Sequence, residues 1–137
     1  MMNYHSNSKL GKAFEKEFCD VLYDNGYWVH FVERKSSGAQ PFDIIAAKNN
    51  EIFVFDAKTN SGNRFVLSRI EENQIESMSL YNDRGNKKSF IVIKKDDTDI
   101  YVIPSLEIIN KIKDGCKSVS LSNYDHYKIK ENKELRL

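Results

Sequence analysis

Between Pro41 and Lys58 the chain runs as two apolar segments, Pro41 to Ala47 and Ile52 to Lys58, joined by Lys48-Asn49-Asn50-Glu51. Asparagine tolerates positive φ, so Asn49-Asn50 suits a two-residue hairpin turn. With those two residues as the loop, cross-strand partners have numbers that add to 99. Asp43 then faces Asp56, and Lys58, two residues further on, shares their face of the hairpin. Directly opposed neighbours lie only about 5 Å apart, and like charges there are destabilising. A sheet held for structure alone gains nothing from this arrangement.

Two readings stay open at this point. In one, a divalent cation lies between the carboxylates, and oxygen-only ligands select Mg²⁺ or Mn²⁺. In the other, Asp56 and Lys58 are solvated charges at a strand end. Acidic-x-Lys triplets also occur at Glu33-Arg34-Lys35 and Glu131-Asn132-Lys133, which read as loop and tail charges. Only Asp56-Ala57-Lys58 ends an apolar strand with an earlier acid aligned across a hairpin.

The rest of the chain supplies a frame for this hairpin. Ser8 is placed to cap a helix from Lys9 to about Asn25, stopped by Gly26, with Leu10, Phe14, Phe18, Val21 and Leu22 as its buried stripe. Tyr27 to Val32 reads as a strand and Glu33 to Gln40 as a polar loop. After the hairpin come a loop from Thr59 to Leu67 and a helix from a Ser68 cap to about Tyr81. A second hairpin, Ser89–Lys94 and Ile100–Ile103, turns at Asp96-Asp97-Thr98. A helix from Ser105 to Asp114, a short Val119/Leu121 strand and a charged tail complete the order α-β-β-β-α-β-β-α-β. That order predicts an α/β domain, a central mixed sheet flanked by helices.

The 137 residues suit one domain, 1–137, with an N-terminal arm of about 1–8 and a tail of about 122–137. The polar start has no signal-peptide character, and no run nears the ~20 apolar residues of a membrane helix. Two isolated cysteines, Cys19 and Cys116, make no disulfide framework, so a cytoplasmic location is expected. His5, His30 and His126 have no metal-ligand spacing, which speaks against zinc. With 21 basic and 20 acidic residues the net charge is +1, so bulk charge alone does not announce a nucleic-acid partner.

On the hairpin face of Asp43 and Asp56 the other positions, Ile45, Ala47, Ile52 and Val54, are apolar. The face must be covered, and the first helix is the expected cover. Glu15, beside Phe14, would then point at the same site. Carboxylates and a lysine around a hard metal suit phosphodiester hydrolysis, in which the metal polarises the phosphate and acidifies an attacking water. Lys58 would hold that water or neutralise charge on the phosphorane.

Pro41-Phe42-Asp43 followed by Asp56-Ala57-Lys58 resembles the metal motif of the PD-(D/E)XK nucleases, with a Phe inserted between Pro and Asp. Within that superfamily, Gly11-Lys12-Ala13-Phe14-Glu15 and Ser36-Ser37-Gly38 are similar to the opening and the Ser-Gly loop of archaeal Holliday-junction resolvases. The opening also resembles the RecU type, as do Phe53 to Thr59 and Ile70 to Met78, where Asn73 replaces a His. The long stalk insertion of RecU is absent, leaving only the Glu33–Gln40 loop.

The resemblance spans about Gly11 to Pro104. It implies a restriction-endonuclease-like fold and metal binding by Asp43, Asp56 and the Ala57 carbonyl, with Glu15 joining directly or through water. Lys58 would be catalytic and Gln74 a supporting polar group. It also implies an Mg²⁺-dependent homodimer, of bacterial or phage origin, that nicks four-way DNA junctions in pairs. The alternatives are a nuclease of the same fold acting on duplex, flap or mismatched DNA, and a non-catalytic DNA-binding accessory protein.

Lys9, Lys12, Arg34, Lys35 and Arg64 flank the site in sequence and are candidates for phosphate contacts, as is Ser37. For each the plain alternative is a solvated surface residue. Tyr27 and Trp28 suit the core or a dimer interface, and Cys19 a packed small hydrophobe. The basic residues Arg84, Lys87, Lys88, Lys94 and Lys95 suit either protection of an edge strand or DNA contact.

Overall fold

The computed structural model describes residues 4–32 and 41–137, with side chains from Leu10 onward in the first helix. Helix α1 (Tyr4–Asp24) leads into β1 (Trp28–Phe31), β2 (Ile44–Lys48) and β3 (Glu51–Asn60). There follow β4 (Arg64–Val66), α2 (Glu72–Asp83), β5 (Ser89–Lys95), β6 (Asp99–Pro104), α3 (Ser105–Lys113) and β7 (Ser118–Ser120). Strands β1-β2-β3-β5-β6 form a mixed sheet in that order, in which only the β3–β5 pair is parallel, while β4 and β7 pair separately. Among the described residues no helix is long and apolar enough to cross a membrane.

The central hairpin has the expected register. Ile44 pairs with Phe55 and Lys48 with Glu51, and Asn49 and Asn50 take φ of 52° and 68°. Positive φ at both central residues gives the turn a twist that matches the flanking strands. The Asp96-Asp97 turn works in the same way, with φ of 52° and 61°. Gly26, at φ +85°, ends α1, and Lys48 Nζ binds the freed Asn25 carbonyl at 2.7 Å.

Strand β3 divides the core by residue parity. Phe53, Phe55 and Ala57 point to a layer with Phe14, Phe18, Val21 and Leu22 of α1. There Phe55 meets the Phe18 ring edge-on at 5.2 Å and stacks on Phe90 at 5.5 Å. Val54 points the other way, to a layer holding Met78 of α2, Ile108 and Ile109 of α3, and Phe65 and Val119 of the small sheet. This corrects an expectation: α1 covers the face opposite to Asp56, and α2 covers the Asp56 face. Tyr27 is core, as expected for one of its two readings, whereas Trp28 is 63% exposed.

Other differences follow from long-range packing. Helix α1 already includes Tyr4, so residues 4–8 are helical and Ser8 lies inside the helix. The Thr59–Leu67 stretch is not all loop, because β3 runs to Asn60 and Arg64–Val66 finds β7 as a partner. Ser68 caps no helix: Leu67–Arg69 is a 3-10 turn, and Ile70, 3% exposed, stays extended to reach the core. Helix α2 therefore starts after Glu71, whose N–H donates to Gln74 Oε1 at 3.1 Å. The C-terminal stretch read as a tail packs down. Leu121–Tyr127 forms a 3-10 helix, Leu135 is buried, and Asn25 binds both the Lys133 carbonyl and the Leu135 N–H.

Candidate active site

Where the β2–β3 ladder ends, the two aspartates come together. Asp43 lies one residue before β2, and its N–H donates to the Phe55 carbonyl at 2.9 Å. Its Oδ2 accepts the Ala57 N–H at 2.8 Å, so the carboxylate is clamped across the strands. Asp56 is fully buried, Asp43 nearly so, and Lys58 shows 12% of its side chain to solvent. Lys58 Nζ stands 3.4 Å from Asp56 Oδ1 and 3.3 Å from Oδ2.

The cover over this group comes from α2. Gln74 donates from Nε2 to Asp56 Oδ1 at 2.7 Å, and its Oε1 accepts from Lys58 Nζ at 3.3 Å. Together with the Glu71 N–H on Oε1, these bonds permit one orientation of the amide. Gln74 thereby ties the start of α2 to the carboxylate and the lysine at once.

The electrostatics are strained in the way a cation relieves. Burial is the largest influence on Asp56 and pushes its pKa up to about 8. Lys58 opposes that shift, while the Asp43 charge and a hydrogen bond between the two carboxyls add to it. Asp56 Oδ2 is buried without an aligned hydrogen-bond donor. A buried acidic pair closed behind by aromatic packing fits a hard divalent ion.

Glu15 is 4% exposed on α1, the helix that packs on the sheet face carrying Ala57. Among the described residues no three of His, Cys, Asp and Glu are grouped to hold one metal ion. Lys12 is exposed on α1 and Arg64 on β4. Arg34, Lys35, Ser37 and the Lys9 side chain lie outside the described residues.

One basic residue escaped the sequence reading. Arg69, on the 3-10 turn, donates to Asn60 Oδ1 at 2.9 Å and feels the charge of Asp56. Asn60 continues the alternation of Asp56 and Lys58 along β3, and an earlier end assigned to that strand hid it.

The family model described as archaeal Holliday junction resolvase (Hjc) matches residues 6–133. A curated relative, the crossover junction endodeoxyribonuclease Hjc of Methanocaldococcus jannaschii, is 24% identical over 121 residues, covering 85% of this chain and 86% of that protein. The solved structure of Archaeoglobus fulgidus Hjc, described as a Holliday junction resolvase from an archaeal hyperthermophile, superposes with a TM-score of 0.62 at 16% identity. It covers 85% of this chain and 93% of its own, and establishes the restriction-endonuclease-like fold.

Proposed function

The chain belongs to the archaeal Holliday junction resolvase family, and from that we propose that it is a metal-dependent endodeoxyribonuclease resolving four-way DNA junctions by paired phosphodiester hydrolysis. The observation that carries this reading is the buried Asp43–Asp56 pair with Lys58 and Gln74 on one face of β3. A binding module has no use for two clamped carboxylates whose burial is costly without a cation.

Asp43, Asp56 and the Ala57 carbonyl are the residues that would hold Mg²⁺, or Mn²⁺ in its place, with Glu15 contributing directly or through water. Such an ion, when bound, polarises the phosphate and acidifies water. Lys58, which stands beside Asp56, would orient the attacking water or screen charge developing on the phosphate. Gln74 holds Asp56 and Lys58 in register. Lys9, Lys12, Arg34, Lys35, Ser37 and Arg64 are candidates for carrying the DNA backbone past this group.

Paired nicks require two such sites, which supports a homodimer. Trp28, Ala47 and Ile52 are neighbours on three adjacent strands. Trp28 is 63% and Ile52 57% exposed, and Leu80, 54% exposed, follows on α2 beside Tyr81, which binds the Ile52 carbonyl. This apolar patch is the surface proposed for the second copy. The cytoplasm is the compartment that suits the two free thiols, Cys19 and Cys116.

The test is cleavage of a synthetic four-way junction beside matched linear duplex, with Mg²⁺ and with EDTA, for wild type and Asp56→Asn. Metal-dependent cutting of the junction alone, lost in Asp56→Asn with junction binding retained, is expected. Equal cutting of both substrates would replace the resolvase with a general nuclease of the same fold. No cutting by wild type would leave a binding protein.

A further inference from the structure

On β3 the side chains of Asp56, Lys58 and Asn60 alternate onto one face, so Asn60 lies one strand repeat beyond Lys58. Asn60 spends both amide protons locally, donating to the Gly62 and Arg64 carbonyls at 3.0 Å each. Its Oδ1 is left to accept from Arg69 Nη1 at 2.9 Å. The Arg69 guanidinium also lies over the ring of buried Phe65, 5.3 Å from its centroid. Arg69 itself is exposed, and among the described residues no carboxylate forms an ion pair with it.

A cation oriented by a neutral amide and an aromatic face, yet left without an acidic partner, is built for an external anion. A structural arginine would more often close an ion pair. Arginine has five N–H donors in a planar fork, and a single hydrogen bond to Asn60 leaves most of them for a phosphate. Its position fits the same purpose, because the face that carries the aspartates leads directly to it.

We propose that Arg69, aimed by Asn60 and Phe65, grips a DNA backbone phosphate neighbouring the one cleaved at the aspartate pair. The inference rests on the nuclease reading and adds the anchor that sets the direction of the DNA strand along β3. A phosphate contact carries no sequence information, so Arg69 serves position and affinity alike on any sequence.

The experiment measures binding of a fluorescent four-way junction and of a linear duplex in Ca²⁺ over a range of salt, with cleavage in Mg²⁺ alongside. Arg69→Ala is expected to lower the slope of log K against log salt by about one and to weaken binding roughly tenfold. Arg69→Lys should restore the slope but only part of the affinity. Asn60→Ala should keep the slope while losing several-fold in affinity, because the charge remains but is no longer aimed. Thermal melting of each variant separates these effects from misfolding.

An Arg69→Ala slope and affinity equal to wild type would overturn the proposal, even if wild type cuts junctions. Wild type that binds DNA but does not cut would overturn the nuclease reading while still reporting on Arg69. Wild type that binds no DNA would overturn both.

Discussion

Gln74 donates to Asp56 Oδ1 at 2.7 Å, so the first turn of α2 holds a carboxylate that belongs to β3. The same amide accepts from Lys58 at 3.3 Å. A neutral side chain thus fixes the spacing of an acid and a base without adding charge to a buried site. Removing it should loosen both partners. Gln74→Ala is expected to reduce cleavage or metal affinity by about 10- to 100-fold, the range for groups that orient ligands. Single-turnover junction cleavage and metal titration read the effect, and unchanged values in both would refute the role.

Asp56 also predicts how stability depends on pH. Its folded pKa is raised to about 8, so the metal-free folded state binds a proton that the unfolded chain releases near pH 4. Its stability contribution is intact below the unfolded pKa and is lost as pH rises towards 8. Asp56→Asn keeps the shape without the charge and should melt higher than metal-free wild type at pH 8, by roughly 5 °C or more. The gap should shrink towards pH 5. A gap that stays constant across this range would exclude Asp56 as its source.

The same proton competes with metal. Binding that requires ionised Asp56 should strengthen by about tenfold per pH unit between pH 5 and 7 and level off near 8. Calorimetry with Mn²⁺ in buffers of different ionisation enthalpy would show a proton released in that interval. Affinity that does not change with pH would remove Asp56 from the metal site.

At the turn, Asn49 and Asn50 both occupy the left-handed region. Asn50→Gly should be neutral or mildly stabilising, while Asn50→Val should cost about 1–2 kcal/mol, because a β-branched side chain clashes there. Thermal melting measures the difference. Since this turn sets the register that aligns Asp43 with Asp56, the valine variant should also lose cleavage activity below its melting temperature.

The C-terminal segment is part of the core. Leu135 is 8% exposed within the layer formed with α1, and the neighbouring backbone is held by Asn25. Leu135→Ala is expected to cost about 2–3 kcal/mol, as for other buried leucines. A melting temperature equal to wild type would show that the segment does not contribute.

What was legible in the sequence is what short-range chemistry dictates. Two asparagines tolerate positive φ, period-2 alternation sorts side chains to faces, and together they align Asp43, Asp56 and Lys58. Gly26 ended its helix for an equally local reason, and Gln74 stood out through its motif. Tertiary structure alone decided which helix covers which face. Both sides of β3 are apolar, so the hairpin pattern could not choose between α1 and α2. Strand β4 needed β7, more than fifty residues away, and Ile70 needed the core to delay the start of α2. Arg69 joined the site only because that delayed start made a 3-10 turn beside Asn60. Hairpin register follows from neighbours in the chain, whereas layer assignment follows from the area each face can bury, a property of the whole fold.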